Sequence, residues 1–343
     1  MSVTPEPAIP ATTDARARLR HDFVQAHLGA DASVPVAASS DAGFRSYWRT
    51  GNAQGSAIVM DSPPALEDVR PWLTLHAMLE AGGVRVPRVL AREVEAGLLL
   101  LEDLGGPTLL QTIDADNADA WFARAREQLL RIQRIAVPAA LPAYDEALVR
   151  RELGLFEEWF LRRHLGVTLT GEERIALDKV FDALVAAFLA QSQVLVHRDF
   201  MPRNLMPLKD GVAVLDFQDA VRGPLAYDVL SGFKDAFLSW PQARIDGWIA
   251  AWHEAAIEAG LAPPSPQALA RDIDLTGAQR HLKVLGIFAR LAHRDGKPRY
   301  LADAARFVAY LQAVLPRHPE LAPLAPLLDR HVLPAIPALA LPQ

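Results

Sequence analysis

Residues 196–220 of this chain, VHRDFMPRNLMPLKDGVAVLDFQDA, place several polar side chains around two short apolar runs. His197 and Asp199 stand two residues apart, Asn204 follows after four further residues, and Asp216 lies near the end of the second run. Buried strands rarely carry so many charged and amide groups, because each one costs free energy unless it is paired or binds a metal. These residues therefore either belong to a solvated hairpin or meet at one site.

The residue types and spacing fit phosphoryl transfer, which needs a carboxylate to accept the acceptor's proton and oxygen ligands for magnesium. Asp199 can supply that carboxylate. The Lys-Asp-Gly turn at 209–211 predicts a hairpin that returns Asp216 beside Asn204. Magnesium prefers oxygen ligands, so an amide and a carboxylate suit it. The pattern indicates a phosphoryl-transfer site more strongly than a solvated loop.

The composition is that of a soluble globular protein: 343 residues, of which 51% are hydrophobic and 22% charged. A net charge of −6 argues against nucleic acid or an anionic membrane as the main partner. The absence of cysteine excludes disulfides and thiolate metal sites, and it fits a reducing compartment. The first residues lack the apolar core of a signal peptide, and no apolar run is long enough to span a bilayer. We therefore expect a cytoplasmic protein that does not bind membranes, and we also expect it to be a monomer.

The first hundred residues predict a small antiparallel sheet with a helix packed on it. A helical pattern runs from about residue 14 to Gly29, and a second one covers residues 65–81. Turn-forming residues separate five strand-like runs, which lie at 34–40, 45–50, 56–62 and on either side of Gly97. We assign residues 1–103 to this N-terminal lobe.

After residue 104 the pattern becomes helical, and the only strand signals are LMPL and VAVLDF. The sequence thus predicts an α+β fold, with a β-rich lobe followed by a mostly helical lobe at 104–343 that holds one hairpin. Apolar residues recur at helical spacing over 117–135, 144–164, 171–191, 241–259, 266–292 and 301–314.

Two segments, VHRDFMPRNLM and VLDFQDA, resemble the catalytic loop and metal-binding segment of the aminoglycoside phosphotransferase family, the small-molecule branch of the eukaryotic-like kinases. RGPLAYDVLS and LLLLEDLGG are also similar to family segments, and the resemblance covers roughly residues 35–310. It implies a bilobal protein-kinase-like fold that uses ATP and Mg²⁺. It also implies that Asp199 is the catalytic base and that Asn204 and Asp216 bind the metal.

The same resemblance implies further roles. His197 and Asp228 would support the catalytic loop, although a helix cap or a surface acid is an open alternative for Asp228. The segment 98–106 would be the hinge that holds adenine, with Glu102 and Leu104 as its contacts.

The segment QRHLKVLGIFARLAHRDGKPRYL is similar to the bacterial anomeric kinases that phosphorylate the C1 hydroxyl of N-acetylmuramate and N-acetylglucosamine in peptidoglycan recycling. Alternatives are a kinase of another small alcohol or of an aminoglycoside, and an inactive nucleotide-binding module. The net positive charge of 279–299 disfavours a polycationic acceptor. We expect Lys283 to pair with the lactyl carboxylate of N-acetylmuramate. The alternative is that Gln279, His281 and Lys283 are ordinary polar residues on a helix surface. The predicted substrate contacts are Arg203, Gln279, His281 and Lys283.

The chain departs from the kinase pattern on its third strand, where Met60 stands in place of the usual lysine. The position of the lysine's glutamate partner falls near Trp72. Magnesium and another cation must then neutralise the phosphates. Arg45 and Arg49 are the candidates, unless they are plain surface charges. The predicted phosphate cover consists of Ser39, Ser40, Gly43 and Arg45.

Overall fold

The computed structural model describes residues 12–40, 44–234, 237–336 and 339. The chain divides into two compact units, the first built from Met1–Ala81 and Arg85–Gly106, the second from Gly82–Val84 and Pro107–Gln343. The main division thus lies three residues beyond the boundary that the sequence predicts at 103. Within the described residues, no helix combines the length and apolar character that a membrane span requires.

The first unit contains a five-stranded antiparallel sheet, as the sequence predicts. From one edge of the sheet to the other, its strands are Val36–Ser40, Ser46–Asn52, Gly55–Asp61, Leu98–Glu102 and Val89–Glu93. On one face, Phe23 and Val24 of the first helix pack against Val59 and Leu100. Neighbouring side chains point to opposite faces of a strand, so Met60 lies on the other face, where it is also fully buried. The elements are α1 (Thr12–Leu28), β1 (Val36–Ser40), β2 (Ser46–Asn52), β3 (Gly55–Asp61), α2 (Arg70–Ala81), β4 (Val89–Glu93) and β5 (Leu98–Glu102).

The helix α2 begins five residues later than the predicted start at 65. Proline fits the first turn of a helix because its missing N–H has no intrahelical partner there, and Pro71 is the second residue of α2. The carboxylate of Asp68 accepts the backbone N–H of Arg70 at 3.0 Å, which satisfies one of the unpaired donors at this end.

The second unit is mostly helical, and its predicted helices are confirmed with ends displaced by a few residues. Its long helices are α3 (Ala118–Arg134), α4 (Glu146–Leu155), α5 (Gly171–Leu189), α6 (Ala226–Phe233), α7 (Gln242–Glu258), α8 (Pro266–His293) and α9 (Ala304–Val314). The helix α4 continues as a π-helical segment, Phe156–His164. Beyond α9, the residues that the structure describes form short helical turns, as the prolines of this segment indicate.

The predicted hairpin is present as β7 (Leu205–Leu208) and β8 (Gly211–Val214). The expectation that this hairpin holds the only strands of the unit is wrong, however, because β6 (Gln193–Val196) and β9 (Val221–Pro224) form a second antiparallel pair. The strand β6 has only four residues, three of them apolar, and follows α5 closely. The strand β9 contains glycine and proline, which are depleted in strands. Neither run has the length or composition that marks a strand in a sequence.

The central helix of this unit is α8, which has 28 residues and is buried along much of its length. Ser265 caps its first turn by accepting the N–H of Ala268. Near its other end, Gly286 lies against the backbone at the end of α4. A Cβ atom at this position would stand 2.4 Å from the carbonyl carbon of Leu155, so only glycine permits this approach. The close packing fixes the position of α8, which carries the next set of polar residues.

Candidate active site

The strand β6 leads directly into a loop whose backbone is held by one carboxylate. The N–H groups of His197 and Arg198 donate to the two oxygens of Asp228, at 2.6 and 3.0 Å. Arg198 has a φ of 76°, in the left-handed region that non-glycine residues rarely adopt. The two hydrogen bonds from Asp228 offset the cost of that conformation and define the shape of the loop.

Asp228 lies in the first turn of α6 and is fully buried, so the alternative of a surface acid is wrong. It is not the N-terminal cap of α6 either, because Leu225 holds that position. Burial raises the pKa of Asp228 to about 6, although His197 and the two backbone N–H groups favour the ionised form.

The imidazole of His197 joins the loop to the end of the hairpin. Its Nε2 atom lies 2.9 Å from the carbonyl oxygen of Leu215, and Nδ1 accepts the N–H of Asp199 at 3.3 Å. This pattern fits a neutral ring that donates from Nε2. Burial, which is the largest influence, lowers the pKa of His197 and favours the neutral form.

The hairpin returns Asp216 beside Asn204, as its turn predicts. The Asn204 amide nitrogen donates to the backbone carbonyl of Asp199 at 2.9 Å and lies 3.4 Å from Asp216 Oδ2. Asp216 also has a left-handed φ, 62°, and its Oδ1 accepts the Gln218 amide at 2.7 Å. The Asn204 amide and the Asp216 carboxylate are thus neighbours, and oxygen atoms of these two types suit magnesium, which takes oxygen ligands and completes its shell with water and phosphate oxygens. No cluster of three or more acidic, histidine or cysteine side chains suited to a metal occurs in the ranges that the structure covers.

Asp199 is the most accessible acid of the loop, with 43% of its side chain exposed. Its Oδ1 lies 3.5 Å from Nη2 of Arg280. Its Oδ2 accepts no hydrogen bond from any residue whose position is described. Partial burial raises the pKa of Asp199, but the positive charges of Arg280 and Lys283 outweigh this effect, so the pKa lies below its usual value. One carboxylate oxygen thus faces the Arg280 guanidinium, and the other is open to a ligand.

Behind Asp199 lies a buried charge cluster centred on Glu152. Glu152 Oε1 lies 2.9 Å from both Lys283 Nζ and Arg198 Nη2, and Oε2 accepts the Gln279 amide at 3.2 Å. Burial raises the pKa of Glu152, but the positive charges of Lys283 and Arg198 outweigh this effect. The pKa therefore lies below its usual value, and the carboxylate is ionised. The cluster consists of Tyr144, Glu152, Arg198, Tyr227, Gln279, Arg280 and Lys283.

These positions correct the predicted acceptor contacts on α8. Lys283 already pairs with Glu152 and donates to two tyrosine hydroxyls, so its charge is not available to a substrate carboxylate. Gln279 is fully buried in the same cluster. His281 is also buried, and its ring stacks on Tyr310 with 5.0 Å between centroids. The helix is packed on several sides, so polar residues along it turn inward instead of facing solvent.

Arg203 is exposed, and its guanidinium carbon lies 5.1 Å from the centre of the Phe237 ring. Of the four predicted acceptor contacts, it alone remains accessible in the described part of the chain. Its role in substrate binding stays a prediction.

The predicted nucleotide contacts belong to the first unit. Arg45 forms an ion pair with Glu67 at 3.2 Å, and Arg49 binds Asp103 at 2.7 Å, so both candidate cations have carboxylate partners. Gly43 lies outside the described residues, as do the side chains of the two serines before it. The backbones of Ser39 and Ser40 pair with β2.

The prediction that the segment 98–106 holds adenine stays a prediction. The carboxylate of Glu102 is bound by Arg85 at 2.7 Å, and Leu104 follows β5 in a half-buried position. At the departures from the kinase pattern, Met60 is fully buried on β3, and Trp72 of α2 stacks on His76. Neither position carries a charge for nucleotide phosphates.

Sequence reasoning missed three buried charged groups of the second unit. Arg280 stands between two predicted contacts on α8, and its contact with Asp199 has no signal in local spacing. Glu152 could have been noticed, because it falls on the apolar face of α4 beside Val149 and Leu153. Lys234 ends α6 with only 6% exposure, and its ammonium forms no hydrogen bond or ion pair within the described ranges. Burial lowers the pKa of Lys234, with the charge of Asp274 opposing that effect.

A family model described as the phosphotransferase enzyme family matches residues 36–263. A protein of Pseudomonas putida named N-acetylmuramate/N-acetylglucosamine kinase is 51% identical over 294 residues, covering 85% of this chain and 87% of its own. Proteins of the same name from Pseudomonas aeruginosa and Neisseria meningitidis are 50% and 40% identical, over 85% of this chain and 87% and 88% of theirs.

Solved structures show the same fold at low identity. Choline kinase LicA from Streptococcus pneumoniae has a TM-score of 0.64 at 13% identity, covering 87% of this chain and 99% of its own. The ADP-bound aminoglycoside phosphotransferase APH(2'')-Ib has a TM-score of 0.59 at 13% identity, covering 85% and 96%. The α+β kinase-like fold expected from the sequence is therefore confirmed.

Proposed function

Because this chain belongs to the phosphotransferase enzyme family, we propose that it is an ATP-dependent kinase of N-acetylmuramate and N-acetylglucosamine that phosphorylates the C1 hydroxyl. The substrate rests on one observation, which is the identity of up to 51% with relatives that carry this name. We place its role in the reuse of cell-wall amino sugars in the cytoplasm.

Asp199 supplies the group that handles the acceptor. Its open Oδ2 accepts a hydrogen bond from the anomeric hydroxyl, orients the oxygen toward the γ-phosphorus and takes the proton. The new bond joins the sugar oxygen to phosphorus, the bond between phosphorus and the bridging oxygen breaks, and ADP leaves. Asn204 and Asp216 would hold Mg²⁺, which neutralises charge on the phosphates when it is bound.

Arg280 also bears on the choice of acceptor. Its guanidinium lies beside Asp199, so a polycationic acceptor would approach Asp199 against like charge. This arrangement favours a neutral or anionic acceptor such as the two amino sugars over choline or an aminoglycoside.

The test is ATP turnover with an acceptor panel of N-acetylmuramate, N-acetylglucosamine, choline and kanamycin. We expect turnover with the two amino sugars alone, and its loss in Asp199→Asn. Turnover with choline or kanamycin and none with the sugars would contradict the assignment.

A further inference from the structure

Arg280 contacts two consecutive residues of the catalytic loop. Its Nη2 lies 3.5 Å from Asp199 Oδ1, and its Nη1 donates to the carbonyl oxygen of Arg198 at 2.8 Å. We propose that Arg280 is a positioning residue for Asp199, which fixes one carboxylate oxygen so that the other faces the acceptor hydroxyl. This proposal rests on the proposed function, because it takes Asp199 as the group that receives the hydroxyl proton.

The geometry depends on the planar guanidinium. One nitrogen donates a hydrogen bond to a backbone oxygen while the other lies in ion-pair contact with a side-chain oxygen, and a lysine ammonium cannot make both contacts in the same way. Together with Asp228, Arg280 holds Arg198 from both sides. Asp228 accepts the N–H of Arg198, and Arg280 binds its carbonyl oxygen. The strained residue directly before Asp199 is thereby fixed at both of its peptide groups.

Arg280 is itself held from behind. Its Nη1 also donates to the Tyr227 hydroxyl at 2.8 Å, and the guanidinium carbon lies 5.1 Å from the centre of that ring. Tyr227 directly precedes Asp228 on α6. The two groups that hold the loop therefore share one support, and a shift of α8 against α6 would move Asp199.

The other charges of the cluster pair with one another, so Asp199 is the carboxylate that balances the charge of Arg280. Glu152 pairs with both Lys283 and Arg198. Among the described residues, Asp199 is the one carboxylate that pairs with Arg280. Arg280 is nearly fully buried, so a guanidinium without this partner would be costly. The contact is therefore part of the charge balance of the cluster.

The rate of phosphoryl transfer depends strongly on how the acceptor and the catalytic carboxylate are oriented. The transition state is loose, so the reaction depends more on orientation and electrostatics than on the strength of the base. A misplacement of about 1 Å can cost about 10²-fold in rate. A carboxylate with one fixed oxygen has fewer wrong orientations than a carboxylate that rotates freely.

The experiment compares Arg280→Met, Arg280→Lys and a matched control, Lys283→Met. Lys283 lies one turn further along α8, carries a buried charge in the same cluster, and makes no direct contact with Asp199. N-acetylglucosamine serves as the acceptor because it is uncharged. We expect Arg280→Met to lower kcat by about 10- to 100-fold while KM for ATP changes less than about twofold. Lys283→Met should lower thermal stability but keep kcat within about threefold.

Arg280→Lys keeps the buried positive charge, so it provides a second test of the same residue if Arg280→Met does not fold. It should melt near the wild-type temperature with kcat between the values of the wild type and Arg280→Met. A folded Arg280→Lys with wild-type kcat would contradict the proposal. An equal loss of kcat in Lys283→Met would do so as well, since it would indicate a general structural effect.

A double-mutant cycle with Asp199→Asn separates this proposal from the proposed function. If Arg280 acts through Asp199, Arg280→Met should change kcat by less than about twofold in the Asp199→Asn background. The same loss in both backgrounds would overturn the positioning role. Wild-type activity in Asp199→Asn alone would instead overturn the assignment of Asp199, and a lack of turnover with amino sugars would overturn the substrate.

Discussion

The catalytic loop at 197–204 and the buried charge cluster on α8 hold their charged groups in different ways. The loop keeps Asp199 partly exposed on a strained backbone that is fixed by hydrogen bonds to Asp228. The cluster buries Glu152 and Lys283 and satisfies them through side chains from several helices. Charge in the loop serves the reaction, whereas the charges of Glu152 and Lys283 neutralise each other and stabilise the fold.

The largest expected effect follows from Asp199→Asn, which tests the loop side of this comparison. Loss of the proton acceptor should lower kcat by about 10²- to 10⁴-fold, the usual contribution of general-base catalysis. Steady-state kinetics with ATP and N-acetylglucosamine measure the effect, and KM for ATP should stay close to that of the wild type. A variant that keeps more than half of the wild-type kcat would remove Asp199 from the role.

Glu152→Ala tests the cluster side. It leaves the buried charges of Lys283 and Arg198 without their shared carboxylate, so we expect a loss of about 3–5 kcal/mol in the free energy of unfolding. The matched control is Glu146→Ala on the same helix, which removes an exposed ion pair with Arg150 and should cost less than about 1 kcal/mol. Denaturant unfolding measures both, and equal losses would show that the burial of Glu152 has no energetic weight.

Asp228 connects the two regions and predicts a pH dependence of stability. Its native pKa of about 6 lies above the value of about 4 for an unfolded chain, so the native state binds a proton more tightly between these pH values. The stabilisation is complete below pH 4 and is lost as the pH rises through about 6. The unfolding free energy of the wild type minus that of Asp228→Asn should therefore fall by about 2–3 kcal/mol from about pH 4 to pH 7. A difference that does not change with pH would contradict this account of Asp228.

Lys234 is expected to give the smallest effect, and it sharpens the contrast between paired and unpaired buried charge. Lys283 has a carboxylate partner, whereas the ammonium of Lys234 has none within the described ranges. Removing Lys283 leaves the buried Glu152 without one of its partners, whereas removing Lys234 leaves no buried partner behind. We therefore expect Lys234→Met to lower the free energy of unfolding less than Lys283→Met does. Denaturant unfolding of the two variants measures this difference, and a larger loss in Lys234→Met would contradict it.

The parts of the molecule that the sequence predicts are those with local causes. The turn at 209–211 lies between two strand-like runs, so the return of Asp216 to Asn204 follows from a few neighbouring residues. The sheet of the first unit could be predicted equally well, because turn residues separate its strands in the sequence.

The cluster could not be predicted because its contacts join distant parts of the chain. Gln279 and Glu152 are 127 positions apart, and helical spacing alone places Gln279 and Lys283 on a surface as readily as in a core. The interpretation of α8 as an acceptor surface failed for this reason. The contact of Arg280 with Asp199 depends on the same packing, since α8 must lie behind the loop before the two side chains can meet.

We propose that the enzyme transfers phosphate to the anomeric hydroxyl of an amino sugar. The decisive measurement is phosphorus NMR of the product formed from N-acetylmuramate and ATP. We predict a sugar 1-phosphate, identified by coupling of the phosphorus to the proton on C1. A phosphate on C6, or the absence of any phosphorylated sugar, would contradict the claim.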